Sequence, residues 1–373
     1  MADGNPNSFL RVSKPEICFP PGQDATAPEV YVRGREEFDR LQREGLLCKD
    51  EKPGLYVYRL TMGSHVQTGL VAVASCTEYR EGIVRKHEFT RPDKENDRVR
   101  HIEVVDAQTG PVFLTYRASS VVDGIVAGVV AAAPEVSFVA SDGVKHEGWS
   151  IFDEAMITAL KQEFAGMNLL YIADGHHRSA AASRVDEARG GRGDSGRFLA
   201  VIFPDNQMQV LPYNRVVADL NGLSQEEFLA KLAELGSWGE EGRAVPSGLH
   251  EVCVYLGGVW RALRLKPELY EGQAAVDALD AALLQRHVLD PLLGIDNPRT
   301  SNRIQFIGGI RGTAELEKLV KAGKGEVAFS LHPTSVGELM AVADADGIMP
   351  PKSTWFEPKL RDGMFTHQLE SVE

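Results

Sequence analysis

The chain has 373 residues, of which 43% are hydrophobic, and it carries a formal net charge of −13 at pH 7. A chain of this length and composition can bury a large core, so we expect a globular protein with two domains or one large domain. The acidic balance disfavours a dedicated nucleic-acid-binding protein, because affinity for the phosphate backbone comes mainly from lysine and arginine.

Cysteine usage and hydropathy bear on the compartment of the protein. The four cysteines are widely spaced and form no C-x-x-C pair, which favours a reducing compartment over a disulfide framework or a structural zinc site. The first residues resemble no signal peptide, and the most apolar long window, residues 121–140, is interrupted by charged residues and a proline. We therefore expect a cytoplasmic protein that does not associate with membranes.

The first half of the chain alternates between apolar periodicities typical of strands and of helices. Its predicted elements are an extended, proline-rich arm over residues 1–30, a helix over 36–46, paired strands over 55–60 and 67–74, a strand over 83–86, a helix over 151–164, a strand over 169–173, a helix over 179–189 and a strand over 198–203.

The second half repeats the mixture of strands and helices. A strand pair over residues 252–256 and 260–265 is joined by two glycines, which favour a tight hairpin turn. Ser224 and Glu227 predict a capping box at the start of a helix. The remaining predicted elements are a helix over 276–289, strands over 303–307 and 327–331, a helix over 314–322 and a helix that begins at Ser335. The pattern predicts a mixed α/β (α+β) protein with two lobes, residues 31–220 and 221–373.

The most informative segment is residues 171–182, Tyr-Ile-Ala-Asp-Gly-His-His-Arg-Ser-Ala-Ala-Ala. An apolar strand leads into a polar turn, and an alanine-rich helix follows. The first N–H groups of such a helix attract anions such as phosphate. Arg178 would add a bidentate donor, and Gly175 would let the backbone approach a ligand closely. The predicted turn consists of Asp174, Gly175, His176, His177 and Arg178.

A structural interpretation of this turn is that Asp174 only caps the helix while the other polar side chains lie on the surface. The doubled histidine favours a functional role, because histidine is readily tuned for proton transfer near neutral pH.

Two further groups of residues carry candidate chemistry. Residues 85–100 form a basic island that contains His87 and Glu88, and Glu88 could act as a general base or bind magnesium. The alternative is a solvated loop of paired charges. Residues 349–359 contain Lys352, Ser353 and Thr354, which could bind phosphate through an ammonium group and two hydroxyls. Trp355 and Phe356 of this segment are predicted to anchor the loop in the core.

Glycines at residues 308–312 predict a tight, closely packed turn. The segment lacks the lysine and hydroxyl residue of a Walker A loop, although its N–H groups could also cradle phosphate. Arg215 follows Asn214 in a predicted strand edge, and such a pair would also suit carboxylate recognition.

The string Ala-Asp-Gly-His-His-Arg at residues 173–178 and the segment Met-Pro-Pro-Lys-Ser-Thr-Trp-Phe-Glu-Pro-Lys at residues 349–359 resemble the family of domains of unknown function numbered 1015. The box at residues 174–178 is also similar to the Gly-x-x-Arg box of the ParB and sulfiredoxin superfamily, which includes a free serine kinase. This resemblance implies a strand-turn-helix site that binds nucleotide phosphates, elaborated here into a large two-lobed protein, and an acidic residue supplied by an earlier segment.

Our leading hypothesis is a magnesium-dependent phosphotransferase, a small-molecule kinase that moves a phosphoryl group from ATP or ADP to the hydroxyl of a metabolite such as serine. Glu88 would accept the hydroxyl proton and His87 or His177 would polarise the transferred group. Asp174 and Glu88 are the candidate magnesium ligands. The candidate nucleotide and phosphate ligands are Gly175, His176, Arg178, Lys352, Ser353 and Thr354.

Two other functions remain open. A metal-dependent hydrolase would place Zn²⁺ or Mn²⁺ among His87, Asp174, His176 and His177, although adjacent histidines seldom bind one ion. A regulatory module would bind nucleotide at the same box without catalysis. In each case the expected partner is a small molecule, and the sequence predicts no oligomeric state.

Overall fold

A computed structural model describes residues 4–369 of the chain. The chain divides into two compact units: Met1–Met208 together with Pro358–Glu373, and Gln209–Glu357. These bounds differ from the lobes predicted at residues 31–220 and 221–373, since the C-terminal segment returns to the first unit. Within residues 4–369, no helix is long and apolar enough to cross a membrane.

The first unit contains seven α-helices and ten strands within the described residues. The helices are α1 (Leu10–Ser13), α2 (Pro28–Arg43), α3 (Cys76–Glu81), α4 (Pro92–Val105), α5 (Ser120–Val129), α6 (Glu154–Ala165) and α7 (His176–Arg189). The strands are β1 (Leu55–Met62), β2 (His65–Ser75), β3 (Val84–Arg85), β4 (Ala107–Gln108), β5 (Val112–Tyr116), β6 (Val136–Val139), β7 (Lys145–Ile151), β8 (Leu170–Asp174), β9 (Arg197–Pro204) and, from the C-terminal segment, β18 (His367–Gln368).

Eight of these strands form one mixed sheet in the order β3-β8-β5-β9-β2-β1-β7-β6. The predicted strand pair is confirmed as the antiparallel pair β1 and β2. The edge strand β3 runs parallel to β8, with Val84 opposite Leu170 and Arg85 opposite Tyr171. Two neighbouring parallel strands end at the same edge of a sheet. The residues that follow β3 therefore emerge beside those that follow β8.

The amino-terminal region differs from the predicted extended arm. It forms α1, a 3-10 helix over Pro15–Cys18 and the start of α2. Val12 is fully buried and packs in one apolar cluster with Phe38 and Leu41 of α2. The helical structure is stabilised by this tertiary packing, which the proline-rich composition of residues 1–30 does not reveal.

The second unit contains a six-stranded sheet in the order β12-β14-β13-β16-β11-β15 and a separate pair, β10 and β17. Its strands are β10 (Gln209–Leu211), β11 (Tyr213–Val217), β12 (Gly236–Glu241), β13 (Glu251–Leu256), β14 (Val259–Leu265), β15 (Ile304–Gly308), β16 (Val327–Leu331) and β17 (Trp355–Glu357). Its helices are α8 (Gln225–Ala233), α9 (Asp280–Leu284), α10 (Gly312–Lys321) and α11 (Val336–Asp344), with a π-helical turn over Gln285–Leu289 and 3-10 turns over Pro267–Leu269 and Gly309–Arg311.

Local sequence signals are confirmed in this unit. Ser224 with Glu227, and Ser335 with Glu338, each form a capping box in which both reciprocal hydrogen bonds are present. The hairpin of β13 and β14 pairs Leu256 with Val259 across the two glycines. Both units are therefore mixtures of helices and largely antiparallel sheets, and the mixed α/β prediction is confirmed.

Candidate functional site

The strand-turn-helix segment is more compact than predicted. Strand β8 ends at Asp174, and α7 begins at His176, so one residue, Gly175, makes the whole turn. Gly175 has a φ of 101°, which residues with a side chain rarely adopt. Its carbonyl accepts hydrogen bonds from the N–H groups of Arg178 (2.8 Å) and Ser179 (3.0 Å). The two histidines and Arg178, which were predicted to lie on the turn, form the first turn of the helix.

The capping interpretation of Asp174 is wrong. The N-cap position belongs to Gly175, which has no side chain that could cap the helix. The carboxylate of Asp174 instead accepts a hydrogen bond from the ammonium group of Lys359, with 2.8 Å between Oδ2 and Nζ. Both side chains are about two-fifths exposed, at 40% and 42%. A ligand from solvent can therefore reach this ion pair.

The ion pair fixes the charge of Asp174. Burial raises the pKa of the carboxyl group, but the Lys359 ammonium and the Arg178 guanidinium outweigh burial and lower the pKa to about 2. Asp174 is therefore ionised at neutral pH and is a weak proton acceptor. Lys359 belongs to the segment at residues 349–359, in which the sequence predicts Lys352 as the phosphate ligand.

His87 and His176 form a buried pair. Their rings meet edge to face with 4.5 Å between centroids, and the two residues are 2% and 5% exposed. Burial lowers the pKa of His87 to about 4, and burial together with His87 lowers the pKa of His176 well below its usual range. Both imidazoles are therefore neutral at pH 7. Among residues 4–369, neither His87 Nδ1 nor His176 Nε2 has a hydrogen-bond partner.

Glu88 reaches the same histidine pair from the end of β3. Its Oε2 lies 4.0 Å from His176 Nδ1, and its side chain is 39% exposed. The parallel pairing of β3 with β8 explains why residues 87–88 and the box of residues 174–178, far apart in sequence, are brought together.

Arg178 folds back over the turn. A Cβ atom added at Gly175 would lie 2.9 Å from both Nε and Nη2 of Arg178. Nε of Arg178 is buried and has no hydrogen-bond partner in the part of the chain that the structure describes. Gly175 is thus needed twice, once for its positive φ and once because the guanidinium group occupies the space beside its Cα.

His177 makes a different contact from His176. Its Nε2 accepts a hydrogen bond from the backbone N–H of Arg91, at 3.0 Å, just before α4 begins. Burial lowers the pKa of His177 despite the nearby Glu95 carboxylate. Across residues 4–369, no three His, Cys, Asp or Glu side chains lie together in an arrangement that could hold a metal ion.

The other predicted phosphate ligands belong to the second unit. Ser353 is buried, and its hydroxyl donates a hydrogen bond to the carbonyl of Pro350 (2.7 Å). The exposed Lys352 has a φ of 60°, and its Nζ lies 5.6 Å from the centre of the Tyr213 ring. Arg215, which is 2% exposed, donates a hydrogen bond to the carbonyl of Lys352 (3.0 Å). Arg215 therefore helps to fix the conformation of this loop. Thr354 belongs to the same loop.

The aromatic residues of this loop are core anchors, as predicted. Phe356 is 2% exposed. Trp355 packs edge to face against Tyr213, with 5.1 Å between ring centroids. Its ring also covers Gly308, where an added Cβ would lie 2.6 Å away. The glycines at residues 308–309 thus permit close packing, which confirms the interpretation of a tight turn.

The fold and the site define a mixed α/β protein with a strand-turn-helix box on β8, the strand next to the edge strand β3. The chain belongs to the family described as "Protein of unknown function (DUF1015)", whose model matches residues 1–282. A comparison with curated proteins found no match.

Three solved structures illustrate what this chain is similar to. SbnI with a C-terminal truncation, from Staphylococcus aureus, has 12% identity and a TM-score of 0.42, over 78% of this chain and 85% of that one. Free serine kinase in complex with AMP has 12% identity and a TM-score of 0.42, over 80% and 91%. A conserved hypothetical protein from Pyrococcus furiosus has 13% identity and a TM-score of 0.38, over 78% and 93%.

Proposed function

We propose that this protein is a nucleotide-dependent phosphotransferase that acts on the hydroxyl group of a small metabolite. One observation carries the proposal: three buried nitrogens at the start of α7 have no hydrogen-bond partner among the described residues. Buried polar atoms are normally paired, and leaving one unpaired costs about 1–3 kcal/mol. An oxygen-rich ligand would satisfy them. The three atoms are His87 Nδ1, His176 Nε2 and Arg178 Nε.

The electrostatics of the box favour a phosphate group as this ligand. Helix α7 is 14 residues long, and its first N–H groups and its dipole favour an anion at its start. Arg178 adds a guanidinium group that can bind two phosphate oxygens. Lys359 adds an ammonium group that is accessible from solvent. A nucleotide phosphate would therefore meet two cations and a helix terminus beside a single turn.

The two carboxylates of the site differ in the chemistry they can perform. Asp174, with its pKa of about 2, can orient a hydroxyl group or bind a cation but is a poor base. Glu88 is accessible and lies beside neutral His176, so it is the better candidate for accepting the hydroxyl proton. His87 would polarise the transferred group through Nδ1 in the tautomer that carries its proton on that nitrogen.

Magnesium is compatible with the residues present. This ion is commonly bound by one or two carboxylates and the phosphates of the substrate, so Asp174 would suffice on the protein side, and Glu88 can then act as the base. When bound, Mg²⁺ would neutralise charge on the phosphates. We propose ATP or ADP as the phosphoryl donor and serine or a related amino acid as the acceptor, because the box resembles that of a free serine kinase.

Two substitutions separate binding from catalysis. Arg178→Ala should weaken ADP binding by about tenfold to a hundredfold, because a charge-assisted hydrogen bond contributes about 1.5–3 kcal/mol. Glu88→Gln should leave ADP binding nearly unchanged and abolish phosphate transfer. Isothermal titration calorimetry measures the binding, and phosphorus NMR measures the product.

The controls are Arg192→Ala and Glu103→Gln, which alter exposed residues of the same unit. Both controls should behave as wild type. An equal loss of ADP binding in Arg178→Ala and Glu88→Gln would contradict the roles assigned here. Tight ADP binding without any product would favour the regulatory module over the kinase.

A further inference from the structure

Lys359 reaches the box from a segment that is remote in sequence and firmly attached. Arg361, two residues later, forms an ion pair with Asp142, and its Nε lies 3.5 Å from Nε2 of the buried His146. Further along, β18 pairs with β4, with His367 opposite Gln108. Leu369 is fully buried in a cluster with residues of α4 and α7. The contact of Lys359 with Asp174 is thus held by a chain segment with its own packing.

The carboxylate of Asp174 carries a cation where the proposed function would place a metal ion. The ammonium group of Lys359 donates a hydrogen bond to Oδ2 at 2.8 Å, so a positive charge already lies in contact with that oxygen. A magnesium ion binds carboxylate oxygens at about 2.0–2.1 Å. Two cations so close to one carboxylate repel each other, so Lys359 and a divalent ion should compete for Asp174.

We infer that the ammonium group of Lys359 competes with a divalent metal ion for the carboxylate of Asp174. The same group allows the site to bind nucleotide without metal. This inference rests on the proposed function. The ammonium group is accessible enough to exchange its contact with Asp174 for one with a phosphate oxygen. Lys359, rather than Lys352, is then the lysine of the segment at residues 349–359 that binds phosphate at the box.

The competition has two opposite consequences when the charge of Lys359 is removed. In Lys359→Met, ADP binding in the presence of EDTA should weaken by about tenfold or more, because a charge-assisted contact to phosphate is lost. Binding of Mn²⁺ in the absence of nucleotide should become at least several-fold tighter, because Asp174 loses its competing cation. Lys359→Arg should keep both properties close to those of wild type.

The experiment measures ADP binding by calorimetry in EDTA and in Mg²⁺, and Mn²⁺ binding by electron paramagnetic resonance. It uses the full chain as wild type, Lys359→Met, Lys359→Arg and the control Lys161→Met, which removes an exposed lysine of α6. Far-ultraviolet circular dichroism verifies that each variant is folded. The expected result is ADP binding by wild type in EDTA, with opposite changes in ADP and Mn²⁺ affinity confined to Lys359→Met.

The outcomes separate this inference from the proposed function. If wild type binds ADP only with Mg²⁺, or if Lys359→Met matches the control in both titrations, the inference is overturned while the phosphotransferase proposal stands. If wild type binds no nucleotide in either buffer, the proposed function fails and the inference fails with it. A loss of folding in Lys359→Met moves the test to Lys359→Gln, which is judged by the same two titrations.

Discussion

Asp280 of the second unit is a buried carboxyl group whose replacement should remove a pH-dependent loss of stability. It is the first residue of α9 and is 6% exposed. Its Oδ1 accepts a hydrogen bond from the backbone N–H of His250 at 2.9 Å. Burial raises the pKa of Asp280 to about 7, against the lowering effect of that hydrogen bond. The neutral, protonated form is therefore the one that the fold prefers.

The direction of the pH effect follows from this raised pKa. Below the unfolded value of 3.8, both states are protonated and the group causes no penalty. As the pH rises from about 4 to about 7, the unfolded chain loses this proton before the folded one, so the free energy of unfolding falls. At about 1.4 kcal/mol per pH unit, the full penalty is at most about 4 kcal/mol.

Urea unfolding of wild type and Asp280→Asn at pH 5, 6, 7 and 8 measures this penalty. Tryptophan fluorescence reports mainly on the second unit, which holds Trp238, Trp260 and Trp355 of the four tryptophans. The side-chain oxygen of asparagine can still accept the hydrogen bond from the backbone N–H of His250, and the side chain does not ionise. The stability of Asp280→Asn relative to wild type should therefore rise with pH, by up to about 3 kcal/mol between pH 5 and pH 8.

A matched control is Asp290→Asn, which changes an exposed aspartate of the same unit. Its stability relative to wild type should not vary with pH. Parallel pH profiles of wild type and Asp280→Asn would contradict a raised pKa of Asp280, because they would show that the group is ionised in the folded protein at no cost.

Glycine substitutions test two close approaches of the backbone. Gly175→Ala should destabilise the first unit by about 1–3 kcal/mol, because the residue has a φ of 101°; Gly124→Ala, where an added Cβ meets open space, is the control in urea unfolding. Gly308→Ala should destabilise the second unit by about 1–3 kcal/mol, because the new Cβ would overlap the Trp355 ring. Gly239→Ala, whose new Cβ would make only an ordinary contact with Ala262 at 3.7 Å, should be tolerated. An equal loss of stability in Gly308→Ala and Gly239→Ala would contradict the predicted clash with Trp355.

The sequence predicted the parts of the fold that depend on local patterns. The β13–β14 hairpin, for example, follows from apolar periodicity and two adjacent glycines. The capping boxes at Ser224 and Ser335 need only four consecutive residues each. The box at residues 174–178 was recognisable because a strand, a glycine and a helix follow one another directly.

The remaining features depend on contacts that local patterns do not reveal. Lys359 and Asp174 are 185 positions apart, so no periodicity connects them. The packing of Val12 against α2 stabilises the helical structure of the amino-terminal region. The proline-rich composition of residues 1–30 predicted an extended arm instead. The start of α7 at His176 follows from the positive φ of Gly175, and a longer turn would have been equally compatible with the sequence.

Phosphorus NMR detects the proposed phosphoryl transfer directly. The purified full chain is incubated with Mg²⁺ and ATP or ADP, with and without a pool of small hydroxyl compounds that includes L-serine. A new phosphomonoester signal should appear only with the acceptor pool and should be absent from Glu88→Gln. If calorimetry shows that the protein binds the nucleotide but the spectrum stays unchanged, the protein does not phosphorylate any compound in this pool, and the proposed kinase activity towards them is contradicted.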